Sequence, residues 1–290
     1  MTAFVKCRLL IQKTTAMYPS RFLSSAPKKK AFNSSLKKKK KKKKTASSQA
    51  WIQRHISDPY VKKGAREGVP RSAYKLEELD DRYGVLKDVS RLRRGNVVAI
   101  DLGASPGGWT SVLSSRLLGG HSAIISVDLM PLSVSLPSLQ SSTVHPIVGD
   151  FSDERTQREI RKIVAAHRGQ EGAADIILSD MASNFTGDKM TDALRTLSLC
   201  EEAMAFSVGR NNCFGLTADG DEGRPMLERG GVFVCKYFMC GRENEEEIRD
   251  ASASYFGNVR VGVKPPSSRK DSAERYLLAM DFRGEGSTIV

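Results

Sequence analysis

Short apolar runs alternate with amphipathic stretches between residues 97 and 280. The runs have the length of strands, as in VVAID at 97–101, whereas stretches such as DERTQREIRKIVAAH at 153–167 place apolar residues at helical spacing. Strands that are apolar along their whole length are buried on both faces, and the intervening helices cover those faces. The alternation therefore predicts an α/β fold built on a doubly wound, mostly parallel sheet.

Seven strands and five helices follow from this pattern. The strands are predicted at 97–101, 123–128, 143–148, 174–180, 231–238, 259–263 and 275–280, and the helices at 71–86, 109–118, 153–167, 191–208 and 243–256. The last two strands form a closing pair. Ligands of such sheets bind outside the carboxyl ends of the strands, at the point where the strand order reverses. We therefore expect the functional residues in the loops that follow the strands.

The excess of basic residues is confined to the N-terminal segment. The formal net charge is +13, but residues 1–50 contain fifteen Lys or Arg and no acidic residue. The rest of the chain has 31 basic and 33 acidic residues. Like charges as dense as the run Lys37–Lys44 repel one another and cannot pack. We expect a disordered tail over residues 1–49 and one domain over residues 50–290, whose binding of RNA would need a local basic patch.

The first 26 residues are cationic and contain no acid, which is typical of a mitochondrial transit peptide. This composition predicts the mitochondrial matrix, while the run Lys37–Lys44 leaves a nuclear or nucleolar address as the alternative. No apolar stretch approaches the roughly 20 residues that cross a bilayer, so we expect no membrane insertion.

The five cysteines include no C-x-x-C pair, and the four histidines show no metal-binding spacing. We expect no metal site, and we expect the protein to work in a reducing compartment. Cys200 and Cys235 are then expected to be small buried hydrophobic residues.

A glycine-containing loop, Gly103-Ala104-Ser105-Pro106-Gly107-Gly108, follows the first strand. Dinucleotide-binding enzymes place G-x-G-x-x-G here, and the second glycine gives room to a pyrophosphate. In this chain Ser105 occupies that position, and Pro106 has no N–H to donate. The loop therefore disfavours a nicotinamide dehydrogenase and suits a smaller, less anionic ligand such as S-adenosylmethionine.

Acidic residues come at the ends of the first three predicted strands, at Asp101, Asp128 and Asp150. Asp128 can accept from both ribose hydroxyls of a nucleoside, and Asp150 can accept from an adenine amino group. Each acid alone is also compatible with a helix cap or a surface loop. Their recurrence at three successive strand ends favours a nucleoside site.

Four further charged residues lie in or beside the predicted elements. Asp180 ends the fourth strand, too far from residue 191 to cap the next helix. Lys236 stands in the apolar run VFVCKYF, and buried lysines are rare unless they are paired or functional. Glu274 and Lys75 supply another acid and another base, although each alone would be taken for a surface charge.

The chain resembles the FtsJ/RrmJ family of RNA ribose 2′-O-methyltransferases. The similarity spans residues 51–283 and lies in motifs that follow the family's order: RSAYKL, DLGASPGGW, VDLMP, GDF, LSDMASN, FVCKYF and KPPSSRKDSAERYL. It implies a Rossmann-like, S-adenosylmethionine-dependent methyltransferase with a seven-stranded sheet whose last strand is antiparallel. The catalytic tetrad it implies is Lys75, Asp180, Lys236 and Glu274. The cofactor-binding residues expected with it are Gly103, Pro106, Gly107, Gly108, Trp109, Asp128, Asp150 and Asp180.

The resemblance is strongest to the large-subunit ribosomal RNA enzymes of bacteria and mitochondria. It implies that the protein methylates the 2′-oxygen of a ribose, most simply that of a uridine in mitochondrial large-subunit ribosomal RNA. The enzyme is expected to be a monomer that acts on that RNA or on a pre-ribosomal particle. Transfer RNA or an mRNA cap is the alternative substrate, and a non-catalytic ribosome-assembly factor is the alternative class. Residues 211–228 are longer and more polar than the short turn usual in the family.

Overall fold

A computed structural model describes residues 58–94, 96–117, 122–133, 142–183, 186–211, 213–214, 223–239 and 241–284. The predicted transit peptide, the lysine run, the domain boundary at residue 49 and half of the segment 211–228 lie outside the described residues.

The described residues form seven helices and seven strands, numbered here in chain order. The helices are α1 (Pro59–Glu67), α2 (Arg71–Tyr83), α3 (Lys87–Leu92), α4 (Gly108–Arg116), α5 (Glu154–Arg168), α6 (Lys189–Val208) and α7 (Arg242–Ala253). The strands are β1 (Val98–Leu102), β2 (Ser122–Asp128), β3 (Ser142–Val148), β4 (Ala174–Ser179), β5 (Leu227–Phe238), β6 (Phe256–Val263) and β7 (Glu274–Phe282). No helix in this described part is both long and apolar enough to cross a membrane.

The seven strands form one sheet in the order β3-β2-β1-β4-β5-β7-β6. Strands β1 to β5 pair in parallel, and β7 runs antiparallel between β5 and β6. This confirms the doubly wound, mostly parallel sheet with an antiparallel last strand. Because β1 lies between β2 and β4, the strand order reverses there, and the loops after β1 and β4 open the crevice in which ligands of such sheets bind.

Helices cover both faces of the sheet, as the apolar strands required. One face packs against apolar residues of α5, α6 and α7, including Ile160, Leu197 and Ile248. The other face packs against α2 and α4, through residues such as Leu76 and Leu113. Helix α2, although it precedes the first strand, is thus part of the sheet's own core.

The predicted helix at 71–86 ends earlier in the structure, at Tyr83. Gly84 follows with φ 71°, a left-handed conformation that glycine adopts without the steric cost of a Cβ. The two short helices α1 and α3, of nine and six residues, were not predicted. The side chain of Asp58 caps α1 by accepting from the amide of Tyr60 at 3.0 Å.

The turn after α2 is held by one buried carboxylate. Asp80 is fully buried, and its Oδ1 accepts from the amides of Leu86 at 2.8 Å and Lys87 at 3.0 Å. Its Oδ2 lies 3.1 Å from a guanidinium nitrogen of Arg116 at the end of α4. Asp80 therefore joins α2, α3 and α4, the helices on the side of the sheet that carries Lys75.

We predict that Asp80→Ala lowers the free energy of unfolding by about 3 kcal/mol, because it leaves buried amide donors unpaired. Denaturant unfolding of the purified protein measures the effect. The matched control is Asp81→Ala, since Asp81 contacts the same Arg116 at 3.0 Å but is exposed. An exposed ion pair contributes less than ~1 kcal/mol, so Asp81→Ala should have little effect. Equal losses in the two variants would contradict the structural role of Asp80.

Candidate active site

A cavity of about 400 Å³ opens at the carboxyl ends of β1 to β4, where the strand order reverses. It is lined by Gly103, Val127, Asp128, Leu129, Gly149, Asp150, Phe151, Ser152, Met181, Ala182, Ser183 and Leu199. Three of the residues predicted to bind the cofactor, Gly103, Asp128 and Asp150, are in this lining. Phe151 and Met181 add apolar surface beside the acids, which suits a ligand with a planar ring and hydroxyl groups.

Gly103 allows the loop after β1 to lie against the loop after β4. It has φ 77°, and a Cβ at this position would be 2.7 Å from the amide nitrogen of Met181. A larger residue would therefore push two lining segments of the cavity apart. This contact explains why the chain has glycine at the end of the first strand.

The carboxylate of Asp128 is fixed by two backbone amides. Its Oδ2 accepts from Ser105 at 2.9 Å and its Oδ1 from Met130 at 2.8 Å. A carboxylate has about four acceptor sites, so both oxygens can still accept from ligand hydroxyls. Ser105, the residue in place of the second glycine, thus uses its amide to orient an acid.

Asp150 is held in a similar way by the amide of Ser152, which donates to Oδ1 at 3.0 Å. The ring of Phe151 between these two residues lines the same cavity and is buried. This part of the lining combines an oriented acceptor with an apolar surface.

Gly107, Gly108 and Trp109 lie outside the cavity lining and contribute to the packing of α4. Gly107 is the N-cap of α4 with φ 117°. A Cβ on Gly108 would lie 2.3 Å from Oγ of Ser72, and the indole of Trp109 donates to the carbonyl of Ser72 at 3.0 Å. These contacts join α4 to the start of α2. The cofactor roles of Pro106, Gly107, Gly108, Trp109 and Asp180, which are not in the cavity lining, stay predictions.

Asp101 differs from the sequence-based expectation that it ends a strand beside the ligand. It lies inside β1, is completely buried, and accepts from the hydroxyl of Thr110 at 2.6 Å. Burial, together with the charges of Asp180 and Asp128, raises its pKa to about 7, and the hydrogen bond from Thr110 only partly offsets this rise. Asp101 is thus a buried group beneath the site, whereas Asp128 and Asp150 face the cavity.

The four residues of the predicted tetrad form two lysine–carboxylate pairs. Lys75 Nζ lies 2.6 Å from Oε2 of Glu274, and Lys236 Nζ lies 3.0 Å from Oδ1 of Asp180. Lys236 also donates to the backbone carbonyl of Asp180. The four side chains are only 8–16% exposed, so Lys236 does not extend into solvent.

The strand register places Asp180 and Lys236 side by side. In the β4–β5 pair Ser179 lies opposite Cys235, which makes Asp180 and Lys236 neighbours at the carboxyl end of the sheet. In the β5–β7 pair Lys236 lies opposite Tyr276.

Tyr276 joins the site although the sequence analysis did not select it. Its hydroxyl donates to Oδ1 of Asp180 at 3.1 Å, and burial raises its pKa well above 10, so it stays protonated. The sequence contains a pattern that could have indicated Tyr276, because residues two apart in a strand face the same side and Tyr276 follows Glu274 at that spacing.

The charges of the two lysines control the ionisation of Asp180. Burial alone would raise the pKa of this carboxyl, but Lys236 and Lys75 outweigh burial and hold it below its ordinary value. Asp180 is therefore ionised at neutral pH. Such an arrangement can bind and orient a hydroxyl group next to Met181, the cavity-lining residue that follows Asp180. The described residues contain no group of three or more His, Cys, Asp or Glu side chains that could hold a metal ion.

Comparison with known proteins identifies the family. The family model described as FtsJ-like methyltransferase matches residues 69–282. The chain belongs to the FtsJ-like methyltransferase family. The matched range of this FtsJ-like methyltransferase includes α2, the whole sheet and the four paired residues.

Curated bacterial relatives of this FtsJ-like methyltransferase carry the name ribosomal RNA large subunit methyltransferase E. The protein of Nitrobacter hamburgensis is 38% identical over 244 residues, which cover 82% of this chain and 89% of the relative. That of Afipia carboxidovorans is 36% identical over 241 residues, 82% of this chain and 90% of the relative. The crystal structure of a ribosomal RNA methyltransferase from Plasmodium falciparum has the same fold, with a TM-score of 0.55, 24% identity, and coverage of 74% of this chain and 99% of that chain.

Proposed function

We propose that this protein transfers a methyl group from S-adenosylmethionine to a ribose 2′-hydroxyl in RNA, and that the target is a uridine of large-subunit ribosomal RNA. The observation that carries the proposal is the convergence of two lysine–carboxylate pairs at the edge of an acid-lined cavity in an FtsJ-like methyltransferase. The names of the curated relatives support large-subunit ribosomal RNA as the substrate class.

The cavity lining fits S-adenosylmethionine. Asp128 and Asp150 offer acceptors to ribose hydroxyls and to an adenine amino group, and Phe151 and Met181 offer apolar surface to the adenine ring. Gly103 keeps the space between the two loops narrow. Both acids, together with the ionised Asp180, favour a ligand that carries positive charge.

When bound, the cofactor supplies a methyl group on a positively charged sulfur. The task of the protein is then to hold the ribose oxygen in line with that methyl group and to accommodate the hydroxyl proton. Lys75 and Lys236 are fixed by Glu274 and Asp180, so their N–H groups are oriented without further ordering. An ammonium has three donors. Lys236 uses two of them on Asp180, which leaves one that can direct the lone pair of a hydroxyl oxygen.

Two roles for Lys236 follow from the residues, a general base or a group that steers the hydroxyl oxygen. The ion pair with an ionised Asp180 supports the steering role, because an ammonium donates its protons and has no lone pair to accept one. In that role the hydroxyl proton passes to solvent water late in the methyl transfer, and the paired carboxylates Asp180 and Glu274 keep the lysines in place.

We expect Asp128→Ala to weaken the binding of S-adenosylmethionine by more than about 1 kcal/mol, the scale of a hydrogen bond to a charged group. Isothermal titration calorimetry measures the dissociation constant. Asp153→Ala is the control, because Asp153 is exposed at the start of α5 and makes no capping hydrogen bond. Unchanged affinity in Asp128→Ala would remove Asp128 from the cofactor site, and tighter binding of NAD than of S-adenosylmethionine would overturn the cofactor assignment.

Lys236→Ala should abolish methyl transfer to large-subunit ribosomal RNA while the affinity for S-adenosylmethionine stays nearly the same. This is the pattern of a group that acts mainly in the transition state. Lys236→Arg should not restore activity, since a planar guanidinium has a different shape and donor geometry. Single-turnover transfer of labelled methyl measures the rate, with Lys87→Ala as the control because Lys87 pairs with Asp81 in solvent.

Near-normal transfer by Lys236→Ala would contradict its catalytic role. A wild-type protein that is inert on ribosomal RNA but active on transfer RNA or on a capped mRNA would leave the chemistry in place and replace the substrate. A wild-type protein inert on all three RNAs would favour a non-catalytic assembly factor.

We further propose that the protein acts in mitochondria and that residues 1–26, which are cationic and acid-free, direct its import. A fluorescent reporter that carries these residues should colocalise with a mitochondrial marker. The same reporter fused to residues 27–50, which contain the lysine run, serves as the comparison. Nucleolar signal from the full-length protein would instead favour Lys37–Lys44 as the address.

A further inference from the structure

The loop between β6 and β7 is fastened to helix α2. Glu78 of α2 accepts at Oε2 from both the amide of Ser267, at 2.8 Å, and the hydroxyl of Ser267, at 2.7 Å. Arg71, also of α2, donates to the carbonyl of Ser267. Ser267 is fully buried, so this short stretch of loop has little freedom to move away from the helix.

The next residue of the loop contacts the predicted tetrad. The hydroxyl of Ser268 donates to Oε1 of Glu274 at 2.7 Å, while the other oxygen of the same carboxylate, Oε2, pairs with Lys75 at 2.6 Å. Ser268 is 6% exposed, and its own amide donates to the carbonyl of Pro265 at 2.9 Å. Both carboxylate oxygens of Glu274 are thus occupied, one by the loop and one by the catalytic lysine.

Helix α2 brings the two ends of this arrangement together. Lys75 and Glu78 are three residues apart, so they lie on the same side of the helix, one turn from each other. Glu78 holds the loop through Ser267, and the loop then presents Ser268 to the carboxylate that holds Lys75. The contacts form a closed ring from α2 through the loop and Glu274 back to α2.

We propose that Ser268 is a positioning residue for methyl transfer, which fixes the rotation of the Glu274 carboxylate and through it the place of the Lys75 ammonium. The inference rests on the proposed function and deepens it. Without the Ser268 hydroxyl, Lys75 is the one side chain among the described residues that still makes a hydrogen bond to this carboxylate, and the pair can turn together. Loss of alignment between a positioning group and the reacting atoms by about 1 Å can cost a hundredfold in rate.

The test compares Ser268→Ala with Ser272→Ala. Ser272 lies in the same loop, but its hydroxyl accepts from the backbone amide of Glu274 at 3.2 Å and does not contact the carboxylate. Single-turnover methyl transfer to large-subunit ribosomal RNA is measured at saturating RNA and S-adenosylmethionine, together with the dissociation constant for the cofactor and the melting temperature. We expect Ser268→Ala to lose between roughly tenfold and a hundredfold in rate, with cofactor affinity unchanged and a fall in melting temperature of at most a few degrees, so that the protein is fully folded in the assay. Ser272→Ala should stay within about twofold of the wild-type rate.

A double variant tests whether Ser268 acts through Glu274. If it does, Ser268→Ala adds no further loss of rate in a Glu274→Ala background, because the group it orients is already gone. Long single-turnover time courses measure the residual rate of both proteins. A further loss as large as in the wild-type background would overturn the inference.

Two other results would also overturn it. One is a rate of methyl transfer by Ser268→Ala that stays within about twofold of an active wild type. The other is a loss of rate that is fully accounted for by weaker cofactor binding or by unfolding of the variant, as expected of a purely structural serine. Both are distinct from failure of the proposed function, in which the wild-type protein itself transfers no methyl group to RNA.

Discussion

The site depends on the burial of one ion pair between adjacent strands. Lys236 can lie among apolar residues of β5 because Asp180, at the end of β4, pairs with it at 3.0 Å. A lysine without such a partner would carry an uncompensated charge among apolar residues, which costs free energy. The parallel register of β4 and β5, in which Ser179 lies opposite Cys235, is therefore what makes a lysine tolerable at this position. The same register places the pair at the edge of the sheet where the cavity opens.

A second constraint comes from the helix that precedes the sheet. Lys75 reaches Glu274 across 199 positions of sequence because α2 packs into the core on one face of the sheet. Gly108 and Trp109 hold the start of α4 against Ser72, and Asp80 holds the turn after α2. Residues of the glycine loop that lie outside the cavity lining thus locate one of the lysines. This explains how a single sequence motif can serve both the cavity and the paired residues beside it.

The sequence predicted the sheet and singled out Lys236 through local signals, whereas Lys75 and Glu274 were selected through the family resemblance. Continuous apolar runs mark buried strands, and Lys236 stands out in such a run. Asp101 was misplaced because one residue decides whether an acid lies inside a strand or beyond its end, and the pattern of apolar residues does not resolve that difference. Tyr276 and Ser268 were missed for different reasons. In the sequence, Tyr276 looks like an ordinary aromatic residue of the core, and its contact with Asp180 is visible in the structure alone. The position of Ser268 depends on the conformation of its loop, which the contact between Ser267 and Glu78 defines.

Two independent properties of the site support a cationic nucleoside over a dinucleotide. The first is steric, since Ser105 and Pro106 occupy the turn where a pyrophosphate needs glycine and N–H donors. The second is electrostatic, since Asp128 and Asp150 line the cavity and Asp180 is ionised beside it. Asp180 and Asp128 also raise the cost of ionising Asp101 beneath them, whose pKa of about 7 keeps part of the population neutral near physiological pH. A pyrophosphate would add further negative charge to this surface, whereas a sulfonium would reduce the repulsion among the acids.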